Sequence, residues 1–312
     1  MRTTPTFRAA LAGAIAIVAW AAAYPAIRVG LRAYPPGELA ALRYLVASAV
    51  FAVCFPWHRQ TLPRGRDLFL ISLAGAIGIS AYNLLLNTGE LTASAGAASL
   101  IINCMPVFAA LLSVLFLGER LRPAGWLGIA TSFGGISVIA LCSPEGIHFG
   151  FGALLILVAA FSSAVMGLIQ KPLLARYSST AITACLMWSG ALVLSPFLPS
   201  ALRIAAHGPA GPTLAAVFLG LFPAALGYLM WALVLSRLTL SETASMLYLI
   251  PLGAIAISYF WIGEVPTGSS IWGGGLAIAG VVLLMQYGRG AGSASKVAAG
   301  NRSLTVAART PD

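Results

Sequence analysis

Apolar runs and the residues that interrupt them divide the chain into ten predicted helices, at roughly 9–31, 36–56, 67–88, 93–117, 123–142, 149–173, 180–200, 212–237, 241–262 and 267–287. The runs are apolar on all sides for about 18 residues or more, the length an α-helix needs to cross a bilayer, whereas barrel strands would alternate in segments of about ten. Pro35-Pro36, Pro123, Pro172 and Pro266 sit at or beside predicted ends, where a missing amide donor is tolerated. The most informative run is Ser94 to Leu121. It is uncharged from Ser94 to Gly118 and sets Ser99, Asn103 and Pro106 at intervals of four and three on one helical face. Pro106 removes one donor and loosens the carbonyl of Ile102, a defect a membrane helix keeps only where protein or water can satisfy it.

The pattern recurs. Pro251 answers Pro106 at an offset of 145, Gly263-Glu264 answers Gly118-Glu119, and Tyr248 falls where Asn103 stood. Arg28 to Tyr34 after helix 1 answers Lys171 to Tyr177 after helix 6 at an offset of 143, and Trp126, Gly128 and Gly134 answer Trp272, Gly274 and Gly280 at 146. The chain therefore reads as an N-terminal segment 1–8, a five-helix repeat over 9–142, a second over 149–287, and a tail 288–312 that its Gly, Ala and Ser content marks as disordered. Five spans are an odd number, so the second repeat is inserted upside down. Inverted repeats give a protein two nearly equivalent packings, one open to each side of the membrane.

Composition agrees: 59% hydrophobic and 8% charged residues exclude an ordinary soluble domain. The net charge of +10 is scattered over loop ends, with no aromatic-interleaved patch, so no nucleic-acid partner is expected. With the N-terminus inside, fourteen of the eighteen Lys and Arg residues fall on cytoplasmic segments and Arg28, Arg32 and Arg203 outside, leaving Arg43 within helix 2. That bias predicts a multi-pass inner-membrane protein with both termini cytoplasmic. Arg2, Arg8 and Ala21-Ala22-Ala23 imitate a signal peptide, but the run continues to Val29 and has a partner in the second half, so it reads as a retained helix. The four cysteines lie in apolar runs and the three histidines in predicted loops, so neither a metal nor another cofactor is expected.

The run Ala95 to Leu121, with Ser99-Leu100-Ile101, Pro106-Val107-Phe108 and Gly118-Glu119-Arg120-Leu121, resembles the EamA branch of the drug/metabolite transporter superfamily. Its echo at Pro251 and Gly263-Glu264, and Trp20 through Pro25 to Arg28, extend the likeness over about residues 9–287. The resemblance implies a ten-helix inner-membrane carrier that exports amino acids or related metabolites, most like bacterial exporters of aromatic and other neutral amino acids. It also implies a cavity between helices 1, 3, 4, 6, 8 and 9, with helices 5 and 10 as scaffold. Relatives often carry a glutamate before the helix 9 proline. Here that position is Ile250, which puts carboxylate-based proton coupling in doubt.

Polar groups inside a membrane are costly and mark pathways. The near-midplane set is Trp20 and Tyr24 in helix 1, Tyr82 in helix 3, Ser99 and Asn103 in helix 4, Ser162, Ser163 and Met166 in helix 6, Tyr228 and Trp231 in helix 8, and Ser241, Ser245 and Tyr248 in helix 9. Gly75 and Gly78 lie behind Tyr82 and would leave room for a ligand. Asn103 and Tyr82 suit a zwitterion, and Trp20, Tyr228 and Tyr248 suit an apolar side chain. A membrane serine also bonds its own helix at i−4, and a Tyr or Trp also anchors an interface, so both roles stand open. Pro25, Pro106, Pro223 and Pro251 are expected hinges, and Arg28 and Lys171, at repeat-related ends, expected guards of the two mouths. Asn83, Asn87 and Glu90 share another face of helix 3, drifting outward. Arg43 is expected to bind a backbone carbonyl or Glu38, or to snorkel, ahead of a role as a substrate-carboxylate site.

None of the eight acids falls at the midplane, which favours downhill export of a small-molecule substrate over proton antiport. An intramembrane enzyme is disfavoured because no membrane serine–histidine pair, paired aspartates or zinc motif is present, and a retinal-type receptor because the lysines, Lys171 and Lys296, lie near a helix end and in the tail; a channel is the third rival. Small residues at i, i+4 and i+7 on helix 5 (Gly128, Ser132, Gly135) and helix 10 (Gly273, Ala277, Gly280) predict close helix packing, within a monomer or a homodimer.

Overall fold

A computed structural model describes residues 4–55, 61–117, 121–141, 147–174, 176–235, 247 and 249–287. The helices are α1 Thr4–Gly30, α2 Pro36–Cys54, α3 Arg66–Gly89, α4 in two pieces Ala95–Ile102 and Met105–Leu117, and α5 Pro123–Leu141. The second half gives α6 Ile147–Leu174, α7 Ser179–His207, α8 Ala210–Val234, α9 Leu249–Ile262 and α10 Gly268–Tyr287. Among the described residues seven helices are long and apolar enough to cross a membrane, and α5, α9 and α10 add three shorter apolar ones. The sequence reading ends α7 near residue 200. Instead a 3₁₀ turn at Ser195–Phe197 carries the chain into a further helical stretch, because Pro196 and Pro199 each fall in a first turn where no donor is needed.

The packing repeats with the halves exchanged. α1 lies against α8 and α9 as α6 lies against α3 and α4; α2 lies against α8 as α7 lies against α3; α2 with α7, α4 with α9 and α5 with α10 pair across the pseudo-twofold. The ends are tied in matching fashion. Tyr34 shares a hydrogen bond with Thr213 at 2.8 Å, and its counterpart Tyr177 donates to Asp67 at 2.9 Å, where Arg176 also forms an ion pair at 2.8 Å.

The small-residue stripes of α5 and α10 face each other within one chain. A Cβ at Gly128 would stand 2.7 Å from the Gly280 carbonyl, and one at Gly135 would strike the backbone of Gly273 and Ala277. Ser132 donates across the seam to the Ala277 carbonyl at 3.1 Å. Such backbone contact makes α5 and α10 a rigid strut.

Three helices are irregular where the bundle is most polar. α3 opens into a π-helical segment at Ala76–Ala81, α8 into another at Gly220–Gly227, and α4 breaks at Asn103-Cys104. Pro223 accounts for the segment in α8 and Pro106 for the break in α4. The room expected beside Gly75 and Gly78 is taken by neighbouring helices: a Cβ on Gly75 would strike Ser189 and come within 2.9 Å of the Leu186 carbonyl, and one on Gly78 would strike Met166. These glycines let α3 close on α7 and α6, and they do not hold space for a ligand.

Candidate functional site

On α1, Trp20 donates its indole N–H to the Pro223 carbonyl in α8 at 3.1 Å. This bond ties the π-helical segment of α8 to a side chain from the other repeat. Gly227 permits the approach, since a Cβ there would lie 2.9 Å from the indole nitrogen. The Trp20 ring meets Tyr228 edge-on at 5.6 Å and Trp231 at 5.2 Å, so α1 and α8 share one aromatic cluster. Tyr24 is buried one turn further along α1. The phenols of Tyr24, Tyr82 and Tyr228 fall within electrostatic reach of one another and of Arg43, and that of Tyr228 also of Tyr44. Five of the expected pathway residues, Trp20, Tyr24, Tyr82, Tyr228 and Trp231, are thus brought together.

Arg43 neither snorkels nor meets Glu38 or a backbone carbonyl. It is 4% exposed and donates through Nη1 to Asn83 Oδ1 at 3.0 Å. Asn83 Nδ2 donates in turn to the Tyr44 hydroxyl at 2.9 Å and to the Ile79 carbonyl at 2.7 Å. The guanidinium carbon lies 5.3 Å from the Tyr44 ring centre, which adds a cation–π contact. The pairing follows from depth: Arg43 is seven residues past Pro36 on α2, and Asn83 seven before Glu90 on the antiparallel α3.

Asn83 belongs to a polar column. Ser80, Asn83, Asn87 and Glu90 share a face of α3 and are all buried. Ser80 donates to the Gly190 carbonyl at 2.9 Å and Asn87 to the Pro36 carbonyl at 3.0 Å. Glu90, one residue past the span, is fully buried, and neither carboxylate oxygen has a hydrogen-bond partner. Arg28 is adjacent but donates to the backbone carbonyl of Glu90, at 2.5 Å. A cavity of about 400 Å³ opens here, lined by Arg28, Arg32, Glu90, Ile262 and Glu264 among others. Burial pushes the Glu90 carboxyl well above the usual carboxylate range; Arg28 pulls it back and Glu264 adds to the rise.

The remaining expected residues form a different group or use their polarity locally. Ser99 donates to the Gly96 carbonyl at 2.6 Å and Ser162 to the Val158 carbonyl at 3.0 Å, each within its own helix. Asn103 sits at the break, its Nδ2 on the Ser99 carbonyl at 3.2 Å and its Oδ1 without a partner. Ser163 of α6 reaches the far side of the break, donating to Met105 Sδ at 3.2 Å. Pro25 lies within α1, and Pro251, buried in α9, sits beside Gly253, where a Cβ would come 2.9 Å from Ala21. Lys171 is exposed in the last turn of α6 and lines no cavity described here, unlike its counterpart Arg28. Ser241, Ser245 and Tyr248 lie outside the described residues. Among the described residues no group of three metal-ligating side chains occurs.

Sequence reasoning missed the Arg43–Asn83–Tyr44 network and the burial of Glu90. The spacing 80, 83, 87, 90 was visible. What was lacking was the antiparallel register of α2 and α3 that sets Arg43 against it.

Compared with known proteins, the chain matches the model of the EamA-like transporter family twice, over residues 7–141 and 150–286. It is 40% identical over 270 residues, 86% of this chain and 91% of the other, to a Streptantibioticus cattleyicolor protein named "Probable terminal-alkyne amino-acid exporter". A Salmonella typhimurium protein named "Probable amino-acid metabolite efflux pump" is 28% identical over 86% of this chain and 92% of its own. A solved crystal structure, 21% identical, covers 88% of this chain and 95% of its own with a TM-score of 0.60, a likeness of fold.

Proposed function

The chain belongs to the EamA-like transporter family, a multi-pass membrane transporter and not an enzyme, and from that premise we propose that it exports amino acids, neutral and aromatic ones favoured, by alternating access. The observation that carries the reading is the convergence of Trp20, Tyr24, Tyr82, Tyr228 and Trp231 on the π-helical segments of two repeat-related helices, beside the buried Arg43. Stacked aromatic faces suit an apolar or aromatic side chain, and tyrosine hydroxyls suit its polar end. The irregular turns of α3, α4 and α8 are the places where a helix bends at low cost, so repeats 9–142 and 149–287 rock about them while the α5–α10 strut stays rigid. The proposed setting is the bacterial inner membrane with both termini cytoplasmic, which puts the Glu90 mouth outside; one chain encloses the proposed pathway.

Transport is proposed to be downhill, because the central group contains tyrosines, tryptophans and one arginine but no carboxylate. A second reading, proton antiport, is favoured by Glu90, a buried carboxyl without a hydrogen-bond partner whose proton affinity burial raises. Counterflow in proteoliposomes tests both. Vesicles preloaded with unlabelled leucine or phenylalanine are expected to accumulate the labelled amino acid transiently, at a rate indifferent to an imposed pH gradient. No exchange with any amino acid overturns the substrate class, and a rate that follows the gradient replaces downhill export by antiport.

A further inference from the structure

We propose that the cavity where α1, α3 and α9 end is a second binding site, for the head group of a zwitterionic α-amino acid, with Arg28 and Arg32 taking its carboxylate and Glu90 and Glu264 its ammonium. The inference rests on the substrate class proposed above and adds a station on the route out.

Charge pattern carries it. Two guanidinium and two carboxylate side chains line one space of about 400 Å³, a volume within the range of small-molecule sites. A simple anion entering it would meet Glu90 and Glu264, and a simple cation would meet Arg28 and Arg32. A molecule bearing both charges two bonds apart suits all four. Glu90 adds a more specific signal: it is fully buried, it faces the cavity, and neither oxygen is hydrogen-bonded. Arg28 stands close enough to favour the charged form, but its described bond goes to the main-chain carbonyl and leaves both carboxylate oxygens without a donor. One buried oxygen of Glu264 is likewise without a partner. An ammonium group carries three donors in a compact head, enough to serve both carboxylates. Ile262 and Leu31 supply an apolar wall for the ligand's side chain. The polar column of Asn87 and Asn83 leads from this cavity to Arg43, so the site lies at the end of a buried polar line.

The test uses the full chain in right-side-out membrane vesicles, with leucine exchange competed from outside by leucine, leucinamide, which lacks the carboxylate, and N-acetylleucine, which lacks the ammonium. Wild-type protein is expected to prefer leucine to either derivative. Arg32→Gln, at an exposed position that spares the fold, is expected to raise the external half-saturation for leucine about tenfold and to abolish its advantage over leucinamide. Glu264→Gln and Glu90→Gln are expected to abolish its advantage over N-acetylleucine while keeping its advantage over leucinamide. The proposal is overturned if the three ligands shift equally in every variant or if none shifts while wild-type exchange persists. Absence of exchange by the wild type with any amino acid overturns both this site and the proposed function.

Discussion

α3 and α8 hold matching places in the two repeats, and the contrast between them separates what the fold copies from what it does not. Each has a π-helical segment, and each follows it with a tyrosine, Tyr82 and Tyr228, standing 146 residues apart. Each packs against the other repeat, α3 on α6 and α7, α8 on α1 and α2. Their side chains then diverge. Where α3 carries Ser80, Asn83 and Asn87, the same offset in α8 gives Leu226, Leu229 and Leu233. The backbone irregularity is duplicated and the polarity is not. A buried polar column needs partners, and α3 finds them in α2 and α7. Two packings of nearly equal energy need the shared backbone device, whereas recognising a substrate needs polarity on one leg of the route only.

The largest way to break the contrast is to give α3 the residue of α8. Asn83→Leu removes the acceptor from Arg43 and leaves a buried guanidinium against the Tyr44 ring alone. Losing the acceptor of a hydrogen bond to a buried charged group costs about 1.5–3 kcal/mol, so thermal unfolding in detergent is expected below the wild-type midpoint, with a lower yield of folded protein. The double variant Arg43→Leu, Asn83→Leu, which removes both partners, is expected to recover most of the loss. A single variant that melts like the wild type would show that the column is not structurally coupled to α2.

A smaller effect is expected from Glu90, where the column ends. Its carboxyl binds a proton more tightly in the fold than in the unfolded chain, because burial and Glu264 raise its affinity more than Arg28 and Arg43 lower it, with Arg32 lining the same cavity. The folded state then holds more protons through the interval above the unfolded carboxylate pKa of about 4.3, and stability falls as pH rises through it. Glu90→Gln is expected to flatten that decline and to melt above the wild type on the alkaline side. Parallel melting curves from acid to alkaline pH would place the carboxylate against an unseen partner.

Much of this was legible in the sequence, for definite reasons. Spans follow from hydrophobic length, and the inverted repeat follows from Pro106 with Pro251 and from Trp126 with Trp272, features a linear scan detects. The members of the aromatic cluster were legible because Trp20, Tyr228 and Trp231 are bulky residues with a polar handle inside apolar runs. Pairing was harder. Arg43 meets Asn83 only once α2 and α3 are aligned, and nothing local announces the register. Gly75 and Gly78 misled for the same reason: a glycine reads as space until the neighbour that fills it, Ser189 or Met166, is known. The π turn of α3 contains no proline, so helical periodicity did not reveal it.

The finest test concerns the two π-helical segments themselves. Each is tied to a neighbour by one side-chain bond: in α3, Ser80 donates to the Gly190 carbonyl, and in α8, the Pro223 carbonyl accepts from Trp20. Ser80→Ala and Trp20→Phe each delete one neutral hydrogen bond and keep most of the surrounding volume, so each is expected to cost about 0.5–1.5 kcal/mol of stability. Equal stability losses would not imply equal effects on transport. Ser80 ends in a contact between α3 and α7, whereas Trp20 also forms the centre of the Tyr228 and Trp231 cluster. Trp20→Phe is therefore expected to slow counterflow, and most for aromatic substrates, while Ser80→Ala leaves substrate preference as it was. If Ser80→Ala changed preference and Trp20→Phe did not, the substrate route would run along the polar leg and the aromatic cluster would be packing.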